Sequence, residues 1–178
     1  MKCRLCSETI SKSIFSATLL GKVVRYFDCS ICGYVQTEQP TWLTEAYAEA
    51  MNDSDTGVMS RNIANTSLTL ATLVLMGQAK SSIVDYAGGH GFMVRLLRDI
   101  GVNAFWSDPY AKNLVAKGFE YLGKEKKNIQ LVTAFEAFEH FTNPLEEMQK
   151  IFAIAPNILI STAIIPTPTP QPLDWWYY

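Results

Sequence analysis

Hydrophobic positions along this chain follow two periods, one helical and one suited to buried strands. From Val58 to Met76 apolar residues, Ile63, Leu70 and Val74 among them, recur at helical spacing. They predict a long helix, ended by Gly77, that packs beside the first strand of a sheet. Short apolar runs at Ile83–Tyr86, Val102–Ser107, Ile129–Ala134 and Asn157–Ser161 read as strands, and Phe119–Leu122 as a further short one. Between the first two runs, Gly88, Gly89 and Gly91 open an amphipathic helix. Phe92, Leu96 and Ile100 fall on one of its faces, Arg95, Arg98 and Asp99 lie off it, and Gly101 stands at its C-cap. Helices are also predicted at Thr44–Met51, Ala111–Lys117 and Pro144–Phe152, with a polar turn over 52–57 and a solvated basic loop over 123–128. Strands alternating with helices imply an α/β fold with a doubly wound, mostly parallel sheet.

The first 40 residues follow a different rule. All four cysteines lie there, as Cys3-x-x-Cys6 and Cys29-x-x-Cys32. Two such knuckles can bring four thiolates onto one tetrahedral zinc ion, and four protein ligands leave no open position for catalysis. The alternatives are two disulfides or four free thiols. The spacing leaves room for a hairpin, with Val23–Phe27 as one strand. Gly33 can supply a positive φ after the second knuckle, and Ser7 takes that place after the first. The chain therefore divides into a zinc-ribbon module at 1–40, a helical connection at 41–80 and an α/β domain at 81–178.

Composition narrows the picture. At 178 residues and 19.9 kDa the chain can bury one moderate core and a small satellite module. A net charge of −2, with basic residues gathered only at Lys124, Lys126 and Lys127, gives no broad footprint for nucleic acid. No apolar run is long enough to span a bilayer and the first residues are not a signal peptide, so a soluble, cytoplasmic protein in a reducing setting is expected.

The glycine turn is the centre of the candidate chemistry. A strand feeding a helix through glycines presents backbone N–H groups and a helix N-terminus to a ligand at the sheet's carboxyl edge. It is not the dinucleotide fingerprint, since the third glycine would fall at Val94. Asp85 before the turn, the glycines, and Asp108 after the next strand together resemble the first two motifs of class I S-adenosylmethionine-dependent methyltransferases. Ala87 stands where that family has its first glycine. Phe135-Glu136-Ala137-Phe138-Glu139-His140-Phe141-Thr142-Asn143-Pro144 resembles the family's segment after the fourth strand, with its Glu-His pair and later Asn-Pro. With the cysteine knuckles, the likeness extends over nearly the whole chain and is closest to the zinc-bearing sugar C-methyltransferase group.

The resemblance implies S-adenosylmethionine as cofactor and a small-molecule or sugar-like acceptor. It implies Asp85 near the methionine amino group, Ala87, Gly89 and Gly91 in close approach, and Asp108 on the ribose hydroxyls. Phe135 would line the adenine or acceptor side, and His140 or Glu136 would deprotonate the acceptor. Asp108 can equally be an N-cap, with Pro109 at the first helical position. An arginine of the upstream helix, Arg61, could pair with the cofactor's carboxylate, and Tyr47 and Asn62 lie in the same segment. An RNA methyltransferase using the zinc module, and a non-catalytic binding protein with a degenerate pocket, are the competing functions. The family's sheet has seven strands and this sequence supplies five, so the chain is expected to be incomplete after Trp175-Trp176-Tyr177-Tyr178.

Overall fold

A computed structural model describes residues 1–19, 21–46, 55–124, 128–166, 168 and 170. The described residues fall into two compact units: those within 1–46, 140–147 and 163–178 form the first, and those within 47–139 and 148–162 the second. The expectations for Tyr47, for the polar turn up to residue 54, for Lys126 and Lys127, and for the terminal aromatics lie outside the described residues.

The first unit is built on an antiparallel sheet of β1 (Ser13–Leu19), β2 (Lys22–Asp28) and β3 (Val35–Thr37), in that order. Along β1 intermediate and exposed residues alternate, as a strand with one shielded face should. Cys3, Ile10 and Cys29 form a small buried cluster with Cys6, Phe27 and Tyr34 packed against it. The first knuckle is tied to β3 by the Arg4 guanidinium, which donates to the Thr37 carbonyl at 3.0 Å, and by Gln36. Gln36, buried, accepts from Arg4 N at 2.8 Å and donates to the Lys2 carbonyl at 3.0 Å, taking the place of a fourth strand. A short helix α1 (Leu43–Ala46) follows.

The second unit starts with α2 (Val58–Leu75) and continues through β4 (Ser82–Tyr86), α3 (Phe92–Asp99), β5 (Asn103–Ser107) and β6 (Ile129–Phe135). Helix α4 (Pro144–Ile154) leads to β7 (Asn157–Ser161). The sheet is wholly parallel, in the order β5-β4-β6-β7. The chain moves outward from β4 to β5 and then returns to the other side of β4, so the order reverses between β4 and β6. In open α/β sheets ligands bind at that reversal, beyond the strands' carboxyl ends. Right-handed crossovers running in opposite directions send α3 and α4 to opposite faces, which makes the fold doubly wound as expected. The core beneath the reversal joins Leu73, Ile83, Met93, Val94, Leu97, Ala104 and Leu131.

Four local expectations are corrected. The stretch 111–117 is not a helix but an irregular loop. Its Asn113 side chain bonds Ala116 N and Glu120, and the Leu114 and Val115 amides donate to the His90 carbonyl, so its polar groups serve the glycine turn instead of an i→i−4 ladder. The short strand at 119–122 shrinks to a single parallel bridge between Trp106 and Glu120, and the described sheet has four strands. Gly118 has φ 87° and its amide is taken by the Glu120 carboxylate, which stops the ladder there.

Both helix faces turn differently from the sequence reading. In α3, Met93, Val94 and Leu97 are buried, whereas Ile100, at the frayed end, is exposed. In α2 the buried face is Thr66, Thr69 and Leu73, and Ile63, Leu70 and Val74 face outward. Thr66 escapes the cost of burying a hydroxyl by donating to the Asn62 carbonyl one turn back, at 2.7 Å.

Candidate functional site

The second unit gathers Asp85, Ala87, Gly89, Gly91, Asp108, Phe135 and Glu136, all singled out in the sequence, at the carboxyl edge of its sheet. Asp85 ends the buried part of β4, with Trp106 of β5 beside it in register on one side and Thr133 of β6 on the other. The residue is only 4% exposed, and Thr133 Oγ1 donates to Oδ1 of its carboxylate at 2.8 Å. No cationic side chain pairs with it among the described residues. Burial, and to a lesser degree the nearby charge of Asp108, raise its pKa to about 7 against the lowering effect of the Thr133 hydrogen bond. A buried carboxylate held this close to neutrality is poised to ionise when a cation arrives.

The turn after Asp85 is tight for stated reasons. Gly89 and Gly91 have φ 54° and 90°, and Ala87, where the resembling family has glycine, is held at φ 57° despite its Cβ. A Cβ on Gly88 would stand 2.7 Å from Asp85 Oδ2 and 3.1 Å from Trp106 Cδ1, while one on Gly91 would stand 2.9 Å from Ala116 Cβ. Trp106 completes the turn by donating its indole N–H to the Gly89 carbonyl at 2.9 Å.

Asp108 faces the same turn from the end of β5. Its Oδ2 accepts from Gly89 N at 2.9 Å, and its Oδ1 accepts from Tyr110 N and Ala111 N at 2.8 and 2.7 Å. The capping geometry expected of Asp-Pro is thus present, although the loop it caps is not a helix. Two donors on Oδ1 and one on Oδ2 leave acceptor capacity on Oδ2 for a ligand hydroxyl.

At the carboxyl ends of β6 and β7, Phe135 packs against the core and Glu136 is exposed. Glu136 has φ 50°, its N–H reaches the Ser161 carbonyl at 2.9 Å, and Ser161 Oγ donates to its Oε1 at 2.6 Å. Thr162 Oγ1 similarly donates to Glu139 Oε2 at 2.7 Å. His140 ends the 3₁₀ turn Phe138–His140 and counts with the first unit. The Asn-Pro of the same segment has a structural use: Asn143 precedes α4, bonds Glu146 at 2.9 Å and places Pro144 at the first helical position. Arg61 is committed to an ion pair with Asp55, and Asn62 donates to the Val58 carbonyl.

Thr133, Trp106 and Ser161 were not legible as site residues. Thr133 did leave a trace, a lone hydroxyl in the apolar run Leu131-Val132-Thr133-Ala134.

In the first unit the four cysteines converge. Their sulfurs all lie within 4.8 Å of one another, with Cys3–Cys32 at 3.7 Å and Cys6–Cys29 at 3.5 Å, and none forms a disulfide. A tetrahedral zinc with Zn–S near 2.3 Å sets sulfurs about 3.8 Å apart, so the donor set fits such an ion. The two knuckles repeat one geometry. Ser7 N donates to the Cys3 carbonyl and Gly33 N to the Cys29 carbonyl, while Cys3 N reaches Glu8 O and Cys29 N reaches Tyr34 O. Ser7 and Gly33 have φ 65° and 71°, as their places in the motif required. Backbone N–H groups of Cys32 and Ile31 lower the Cys29 thiol to about 7. The Cys6 thiol, although lowered by the Glu8 amide, is pushed up to about 12 by desolvation and the neighbouring sulfurs. One thiolate thus forms readily while the next is resisted unless a cation compensates it.

Among the described residues no helix is long and apolar enough to cross a membrane. The sequence model of the methyltransferase domain family matches residues 58–178, more than half of the chain, and the chain belongs to that family. No curated protein matches it. The family implies use of S-adenosylmethionine, and the residues at the turn fit such a group: a buried carboxylate with no cationic partner among the described residues, a glycine turn too close-packed for side chains at Gly88 and Gly91, and a second carboxylate with acceptor capacity left on Oδ2.

Proposed function

We propose that this methyltransferase-domain protein transfers a methyl group from S-adenosylmethionine to a small-molecule or sugar-like acceptor, in keeping with the sequence resemblance of its cysteine knuckles, glycine turn and Glu-His segment. The observation that carries the reading is the Asp85 carboxylate, buried beside the glycine turn with no cationic partner among the described residues and with Asp108 facing the same turn. When bound, the cofactor would supply an electrophilic sulfonium methyl open to in-line attack by the acceptor, with the thioether S-adenosylhomocysteine as the leaving group.

This chain's residues divide the remaining work. Asp85 receives the amino group of the methionine moiety, Gly89 and Gly91 admit it to close backbone approach, and Ala87 keeps the entrance of the turn narrow. Asp108 accepts from the ribose hydroxyls through the free capacity of Oδ2. Phe135 lines the adenine or acceptor side. Glu136, oriented by Ser161, or His140 takes the acceptor's proton. Holding donor and acceptor in register in a dry site supplies much of the rate for such a displacement. Zinc on Cys3, Cys6, Cys29 and Cys32 is structural, and the free thiols suit a reducing, cytoplasmic setting. The net charge of −2 argues against nucleic acid as the acceptor.

The test has two parts. Mass spectrometry of small molecules released from the purified protein should find S-adenosylmethionine or S-adenosylhomocysteine. Methyl transfer from labelled S-adenosylmethionine should then be measured on panels of sugar derivatives, small metabolites and RNA. Turnover on RNA, with binding that weakens steeply in salt, would replace the acceptor class. Cofactor binding without turnover on any panel would leave a binding protein.

A further inference from the structure

We infer that Thr133 is a positioning residue for the Asp85 carboxylate: its hydroxyl holds one oxygen so that the other faces the glycine turn, where a ligand's cationic group would meet it. This rests on the reading of the site given above.

The geometry is specific. Thr133 is fully buried in β6, in register with Asp85 of β4, and its hydroxyl donates to Oδ1 at 2.8 Å. Oδ2 points toward the turn, since a Cβ on Gly88 would lie 2.7 Å from it. Trp106, the neighbour on the opposite side, cannot take over, because its indole N–H is given to the Gly89 carbonyl and its backbone N–H to the Phe119 carbonyl. Among the described residues Thr133 is therefore the one side chain that donates to Asp85.

A valine would fill the same space in this apolar strand and would spare the fold a buried hydroxyl. What valine lacks is the donor. The hydroxyl also has a second acceptor within reach, the Val84 carbonyl at 3.5 Å. When Asp85 carries a proton its own O–H can donate to Thr133 Oγ1, and the threonine hydrogen can turn to Val84. One hydroxyl thus serves both ionisation states, and favours the charged one through the shorter bond.

The charged groups around Asp85 leave this role open. Asp108, from the end of β5, acts on Asp85 electrostatically and opposes its ionisation. In α3, Arg95 pairs with Asp99, while Arg98 lies over the Phe119 ring and bonds the Ala104 carbonyl. Arg61 of α2 pairs with Asp55, His90 in the turn meets the Lys112 carbonyl, and Glu136 beyond β6 is bonded to Ser161.

The decisive experiment does not need the ligand. Carboxyl-carbon NMR titration of the free full-length chain, with the Asp85 signal assigned by its loss in Asp85→Asn, reads the ionisation directly. Thr133→Val should move the Asp85 midpoint up by about one pH unit or more, the size expected for losing a hydrogen bond to a charged group. Thr133→Ser should restore the wild-type midpoint. If Thr133→Val does not fold, Thr133→Ala read against Thr133→Ser gives the same comparison. An unchanged midpoint in the variant without a hydroxyl overturns the inference. Calorimetry with S-adenosylhomocysteine, which keeps the ammonium group, should show roughly tenfold weaker binding by Thr133→Val at pH 7, recovering toward wild type at pH 8.5. Equal affinity in wild type and Thr133→Val at both pH values would also overturn it. Absence of binding by the wild-type chain would instead overturn the cofactor reading, and the titration would still decide the role of Thr133.

Discussion

The backbone N–H of Gly89 donates to Asp108 Oδ2 at 2.9 Å, so the turn that follows β4 is fastened to the residue that follows β5. One carboxylate therefore shapes the turn, ties down its own loop through Tyr110 and Ala111, and keeps acceptor capacity for a ligand. Asp108→Ala should weaken S-adenosylhomocysteine binding by on the order of 1.5–3 kcal/mol, tenfold or more, through the lost charge-assisted bonds. It should also lower stability by about 1 kcal/mol, the usual worth of a lost cap. Calorimetry and a melting curve on the same variant separate the two effects. Unchanged affinity with a lowered Tm would leave Asp108 a purely structural role.

Ala87 and Gly91 share a positive φ but not the same surroundings. Ala87→Gly should relieve about 1–2 kcal/mol of left-handed strain, partly offset by about 0.5–1 kcal/mol of extra backbone entropy. The expected outcome is an unchanged or slightly raised Tm. Gly91→Ala adds strain at φ 90° and sets a methyl 2.9 Å from Ala116 Cβ. It should cost about 1–3 kcal/mol, a Tm lower by several degrees. A clearly lowered Tm for Ala87→Gly, or an unchanged or raised Tm for Gly91→Ala, each followed by thermal unfolding, would contradict the conformation of the turn.

Asp85 gives the free protein a pH signature. Its folded pKa, about 7, lies above the ordinary value of 3.8. The folded state therefore binds the extra proton between those values. The associated stabilisation is fully present below pH 4 and is lost as pH rises to 7, by on the order of 4 kcal/mol at most. Asp85→Asn should flatten that part of the stability profile and melt later than wild type above pH 7. Denaturant unfolding across pH 4–8 measures this, and parallel profiles for the two proteins would refute it.

The cysteine cluster predicts about one zinc per chain by metal analysis. Cys29→Ser should release the ion and unfold the N-terminal unit, because Cys3 and Cys29 are two of its few buried apolar residues, beside Ile10, Val24 and Trp42. Chelator should give the same loss of structure in the wild-type chain, while β4–β7 keep their far-ultraviolet signal. Metal-free protein with a fully folded N-terminal unit would contradict a structural site.

Much of the fold was legible because single strands and knuckles are local. Continuous apolar runs gave β4, β5, β6 and β7 to within two residues, and the Cys-x-x-Cys spacing, with positive φ at Ser7 and Gly33, specified a four-sulfur cluster before any contact was known. Sequence also marked Asp85, the glycines and Asp108, because a strand, a tight turn and an acid after the next strand are features of short segments. What only the tertiary structure decided is which neighbours those segments meet. The loop at 111–117 is irregular because its amides and Asn113 are drawn to the glycine turn and Glu120, a competition no helical periodicity records. The buried faces of α2 and α3 depend on where the sheet lies. Thr133 reads as an ordinary β-branched strand residue until parallel pairing sets it opposite Asp85, 48 residues away in the chain. The ionisation of Asp85 follows from that same pairing and burial. Local sequence fixes conformation, whereas the charge state of a buried group is set by everything packed around it.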